Sequence, residues 1–85
     1  MNRKKLLLKL SQGAVSNIAF GDIVSLAEGF WFVLSRVSGS HHIYAHPQVR
    51  ELLNLQIVGG KAKPYQIRQL LRLVELYNPS LEEDE

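Results

Sequence analysis

The stretch Phe32-Val33-Leu34-Ser35-Arg36-Val37-Ser38-Gly39-Ser40-His41-His42-Ile43-Tyr44-Ala45-His46-Pro47 decides the fold. Residues 32–37 are rich in apolar and β-branched side chains, which favours a strand. Ser38-Gly39-Ser40 supplies a turn and residues 41–45 continue as a second strand, so the chain folds back as a hairpin. His46-Pro47 stops that strand, because proline lacks the N–H a ladder needs. A third strand is expected over 52–58, where Leu53, Leu55 and Ile57 alternate with Asn54 and Gln56. Gly59-Gly60 then breaks the chain.

Helical periodicity flanks these strands. Residues 3–10 place Leu6, Leu7 and Leu10 on one face with Lys5 and Lys9 off it, and Gln12-Gly13 ends the run. A second helix is expected from Gly21-Asp22, since an acid suits a helix N-terminus. It carries Ile23, Leu26, Ala27 and Phe30 at helical spacing, with Gly29 near its end as a left-handed closing residue. Pro64 opens a third helix, in which Ile67, Leu70, Leu71 and Val74 form the apolar stripe. Arg68 and Arg72 stand on a separate face, and Asn78-Pro79 stops the helix. The expected order is α-α-β-β-β-α, an α+β domain with a three-stranded antiparallel sheet and its helices on one face. A sheet covered on one face leaves the other free for a ligand.

At 85 residues the chain has room for one domain, read as 1–81 with an acidic tail at 82–85. Ten Lys and Arg face eight Asp and Glu, but four of those acids are Glu82, Glu83, Asp84 and Glu85. The body therefore holds ten basic groups against four acidic ones, a surplus of 10 − 4 = +6 that attracts polyanions. A hydrophobic content of 46% excludes disorder by composition. With no cysteine there is no disulfide framework, thiolate metal site or cysteine nucleophile, and a reducing compartment is compatible. The apolar run Leu6-Leu7-Leu8 is too short for a signal peptide, and nothing approaches the ~18 apolar residues of a membrane span. A cytoplasmic protein with no membrane partner is expected.

The side chains suited to acid–base work near neutrality are His41, His42 and His46. Their bland role is that of half-exposed polar residues on a small sheet. A shared metal site is disfavoured: on a strand, residues four apart are separated by roughly 13 Å and neighbours point to opposite faces. Ligands ~2 Å from one zinc cannot be so spread. A Ser-His-acid triad fares no better, since Ser40 and His41 are adjacent and the internal acids are only Asp22, Glu28, Glu51 and Glu75. Gly59-Gly60-Lys61 lacks the spacing of a phosphate loop. No metal and no cofactor are expected.

What remains is histidine among cations: Arg36, Lys61, Lys63, Arg68 and Arg72. Such a set fits a phosphodiester backbone, with a solubility coat as its competing role. Tyr44 and Trp31 could stack on bases; the competing role of both is packing, which for Trp31 between Phe30 and Phe32 is the favoured one. RNA brings its own nucleophile, the 2′-hydroxyl. A histidine near pKa 6.5 can act as base or acid, and Arg or Lys can stabilise the phosphorane charge.

The segment Arg36-Val37-Ser38-Gly39-Ser40-His41 resembles the Arg-x-x-Gly-Ser-His motif of the HicA toxins, the mRNA interferases of HicA–HicB toxin–antitoxin pairs. Asn54-Leu55-Gln56 and the segment from Lys61 to Leu70 resemble a HicA-like branch, and the likeness runs from about Ile18 to Tyr77. It implies a double-stranded-RNA-binding-domain-like (dsRBD-like) fold with an α-β-β-β-α core, to which the helix over 3–10 is an addition. It implies a metal-independent endoribonuclease toxin that arrests translation by cleaving mRNA. It also implies a HicB-like antitoxin partner that covers the active site, with assembly into an oligomer. The family's catalytic histidine falls on His41, with Gly39 and Ser40 as the supporting turn. Two positions depart from the pattern: Trp31 stands where the family has Gly before Phe, and Gly59-Gly60-Lys61 follows the third strand instead of Pro-x-His.

Strict alternation places His41 with Ile43 and Ala45, opposite His42, Tyr44 and His46. One face must be core, and Gly39-Ser40 can supply an irregular strand start that frees one histidine. His41 is the candidate by resemblance and His42 its rival by geometry. Arg36, Tyr44, Lys61, Lys63 and Arg68 are the expected RNA contacts. The alternatives are a non-catalytic RNA-binding module, or a protein-interaction domain whose basic surface meets an acidic partner.

Overall fold

The computed structural model describes residues 2–82. Three helices and four strands follow the order α1 (Arg3–Ser11), α2 (Phe20–Gly29), β1 (Val33–Ser38), β2 (His41–His46), β3 (Val49–Val58), β4 (Lys61–Ala62) and α3 (Pro64–Tyr77). The strands form one antiparallel sheet in the spatial order β1-β2-β3-β4. The architecture is therefore α+β with four strands, not three.

The fourth strand exists because Gly59 and Gly60 both take positive φ, 57° and 76°, closing a two-residue turn that pairs Val58 with Lys61. Its outer edge is covered by residues 18–20: Ala62 N–H donates to the Ile18 carbonyl at 2.9 Å and Phe20 N–H to the Gly60 carbonyl at 3.0 Å. At the other edge β1 is exposed along all six residues. A bulge between Leu34 and Arg36, and the Arg36 charge itself, are devices that keep such an edge from pairing with another chain.

Two strand limits differ from expectation. His46-Pro47 does not end β2 before His46; the strand runs through it, and Pro47-Gln48 forms a tight turn with His46 opposite Val49. The His46 Nδ1 accepts from the Gln48 N–H at 3.0 Å, and the ring packs edge-on against Phe32 at 5.1 Å. β3 thus begins at Val49, three residues before the apolar alternation becomes clear. The charged Glu51 in that segment is tied down by Tyr77, whose hydroxyl donates to Glu51 Oε1 at 3.2 Å.

The inward sides of β2 and β3 supply Tyr44, Val49, Leu53 and Leu55 to the core, which the helices complete with Leu6, Leu10, Ile23, Leu26, Ile67, Leu70 and Leu73. All helical packing lies on this side. α1 is capped by Asn2, whose side-chain oxygen accepts from Lys5 N–H at 2.8 Å. It is fastened to α2 by Arg3, whose Nε donates to the Ser25 carbonyl at 2.8 Å. Of the acidic tail, Glu82 bonds through its backbone N–H to the Gly29 carbonyl at 2.8 Å; Glu83 to Glu85 lie outside the described residues.

The exit from α2 also differs. Gly29 is not the left-handed residue: it is buried inside the helix, where a Cβ would meet the Arg3 side chain at 2.6 Å and Leu81 at 2.9 Å. The left-handed position falls on Trp31, at φ 73°. Trp31 N–H donates to Glu28 and Phe32 N–H to Ala27, at 2.9 and 3.1 Å, the pair of bonds that closes a Schellman motif. This backbone makes the turn that a glycine would make, at a cost to an L-residue of roughly 1–2 kcal/mol.

Candidate nucleic-acid interface

The site rests on the β1–β2 hairpin. Ser38 pairs with His41, so Gly39-Ser40 is a two-residue turn; Gly39 takes φ 58° and Ser40 does not turn left-handed, the pattern of a type II′ turn with glycine first. The turn imposes regular alternation from its first residue, with no irregular start. His41, Ile43 and Ala45 face away from the helices, and His42, Tyr44 and His46 face the core.

His41 therefore stands on the open face of the sheet. Its Nδ1 lies 3.1 Å from Asn54 Oδ1 on β3. An amide oxygen can only accept, so Nδ1 carries a proton, and in the neutral ring the lone pair is left on Nε2. Arg36 shares this face, since its pairing partner Ile43 is two residues from His41 along β2. Lys61 shares it as well, paired with the outward Val58. Alternation adds Arg50 and Gln56, which sequence reasoning left aside. Among the described residues, no strand position that faces outward holds an acid, while Arg36, Arg50 and Lys61 are all exposed. The same face exposes Val33, Leu52 and Val58.

His42 occupies a different setting. Its ring lies against Phe20 at 4.9 Å, and its Nδ1 donates to the Ser40 carbonyl at 3.2 Å, which also accepts the Ile57 N–H. Ser40 thus supports the hairpin through its backbone, and His42 belongs to the packed side. The three histidines are split between two faces. Among the described residues no three of the His, Asp and Glu side chains gather as a metal-ligand group.

Two expected RNA contacts, Tyr44 and Arg68, are placed elsewhere. Tyr44 is only 3% exposed, its ring enclosed in the core, so no base can stack on it. Arg68 projects from α3 beside an apolar cleft formed with α1, lined by Leu7, Leu10, Leu71 and Val74, in the helical layer and not on the sheet. Lys63 precedes α3 and holds its ammonium 5.8 Å from the Tyr65 ring centroid, a cation–π contact. Trp31, by contrast, is not packed: it is 54% exposed.

The Asn54 contact was legible in the alternation that turns Leu53 and Leu55 inward, because the same pattern puts Asn54 on the face of His41. Tyr44 offers a separate test of the core. Burial, and secondarily the Glu28 charge, push its hydroxyl above the ordinary tyrosine value of 10.0. A raised acid favours its neutral form in the folded state, so this part of the stability is intact below pH ~10 and lost as pH rises through the folded value. Denaturant titrations at pH 9 and pH 11 should show a larger loss for the wild type than for Tyr44→Phe. Equal losses would place the alkaline sensitivity elsewhere.

No helix of the described residues is long and apolar enough to cross a membrane. No family model, curated protein or solved structure matches the chain.

Proposed function

We propose that this chain is a metal-independent endoribonuclease of the HicA type, a dsRBD-like cytoplasmic toxin that arrests translation by cleaving mRNA and is held in check by a HicB-like antitoxin. The observation that carries this reading is His41: an imidazole on an open basic face, held through Nδ1 by Asn54 so that in the neutral ring Nε2 is the basic nitrogen. In the reaction Nε2 takes the proton of a 2′-hydroxyl, and the 2′-oxygen forms a bond to phosphorus. The phosphorus–O5′ bond breaks, leaving a 2′,3′-cyclic phosphate. The departing 5′-oxygen takes a proton from the imidazolium or from water. Arg36, on the same face, stabilises the charge that accumulates on the phosphoryl oxygens. Lys61 holds the strand by its phosphates.

Purified protein incubated with mRNA in EDTA should generate new 5′-hydroxyl and cyclic-phosphate ends, and an oligonucleotide with a single 2′-deoxy residue should resist cleavage at that position. Salt-sensitive binding without new ends would instead favour a non-catalytic RNA-binding module. Loss of cleavage in EDTA would sink the metal-independent mechanism.

A further inference from the structure

We propose that Trp31 is a base-stacking platform that commits this protein to single-stranded RNA; the inference rests on the RNA reading of the His41 face and adds the substrate class. Trp31 is the only tryptophan in the chain. It holds a left-handed backbone, φ 73°, at a position where its side chain gains little burial, being 54% exposed. Its neighbours Phe30 and Phe32 are each 2% exposed, and these two anchors fix the backbone between them. The bonds that close α2 use only backbone atoms, which glycine would supply without strain. Stability alone therefore favours glycine at 31. A strained, exposed, flat aromatic marks a surface with another use.

Its place in the fold says which. Trp31 lies at the entrance of β1, and the far end of that strand, Ser38, pairs with His41. Seven residues of nearly extended chain put Trp31 roughly 20 Å from the hairpin end, with the Arg36 position between them. A strand of RNA laid along β1 would meet an aromatic face, a guanidinium and an imidazole in turn. Aromatic side chains stack unpaired bases of any sequence, whereas a duplex keeps its bases stacked within itself. The arrangement selects single-stranded RNA longer than a dinucleotide and leaves base identity largely unread.

The single tryptophan makes its own reporter. With cleavage blocked by 2′-O-methyl RNA at low salt, a single-stranded decanucleotide should quench Trp31 fluorescence, while a dinucleotide or a duplex should quench it weakly. Trp31→Gly should raise Tm, by about 4–8 °C, yet weaken binding of the decanucleotide by roughly 5- to 150-fold. Trp31→Phe, which keeps a ring, should retain most of the affinity. Binding seen by anisotropy without quenching, or unchanged affinity in Trp31→Gly, would overturn the stacking role and leave the RNA reading standing. No binding of any RNA by the wild type would overturn both.

Discussion

Replacing His41 by alanine should lower the rate of RNA cleavage by roughly 10²–10⁴-fold, the usual contribution of a positioned general acid or base, while the protein stays folded. The fold should survive because the ring lies on the open face and its one hydrogen bond, to Asn54, contributes only about 1 kcal/mol. His42→Ala should do the reverse. It removes a ring packed on Phe20 and a bond to the Ser40 carbonyl, so it should cost stability, on the order of 1–2 kcal/mol. Cleavage by the folded His42→Ala protein should stay within a few-fold of wild type. Single-turnover rates and urea midpoints for both variants separate these effects, and growth inhibition on expression should follow the rates. Full cleavage by His41→Ala, with loss in His42→Ala, would transfer the catalytic role to the inward face.

The orientation of these residues was largely written in strand periodicity. Alternation places His41 with Ile43 and Tyr44 with His42, and the tight Gly39-Ser40 turn keeps that order from the first residue of β2. Tyr44 as an RNA contact already conflicted with this pattern, since a side chain sharing the face of the core cannot also stack on a base. The helix from Pro64 was equally legible, although Leu73 is fully buried and was not counted in its stripe. Other features were out of reach for physical reasons. β4 has two residues, too few to carry any period, and is held by a glycine turn and by residues 18–20 from far along the chain. The left-handed Trp31 defies its own propensity because buried Phe30 and Phe32 fix the chain on either side. The Arg68 placement depends on how α1 lies against α3, a tertiary fact that helix periodicity does not contain.

Gln66 carries the second large effect. It is a polar side chain only 1% exposed, and it compensates for the shortness of β4. That strand pairs with Ile57 and Val58 and then ends, leaving the next backbone N–H of β3, at Gln56, without a strand partner. Gln66 Oε1 accepts that N–H at 2.5 Å, and its Nε2 donates to the Tyr65 hydroxyl at 3.3 Å. The first turn of α3 thereby does the work of a further strand residue. Gln66→Leu keeps the volume but leaves a buried donor unpaired, which should cost about 1–3 kcal/mol. Gln66→Ala adds a cavity and should cost more, on the order of 2–4 kcal/mol. Against the ~4–13 kcal/mol expected for a domain of this size, either is a large fraction. Urea denaturation measures the loss, and amide exchange at Gln56 locates it, since that proton should exchange faster in both variants. Because Gln56 pairs directly with His41, and Asn54 lies two residues before it, loosening should also blur the imidazole geometry. The folded fraction of Gln66→Leu should then cleave more slowly than wild type although Gln66 touches no RNA. Wild-type stability and an equally protected Gln56 amide in Gln66→Leu would show that β3 holds its edge without help from α3.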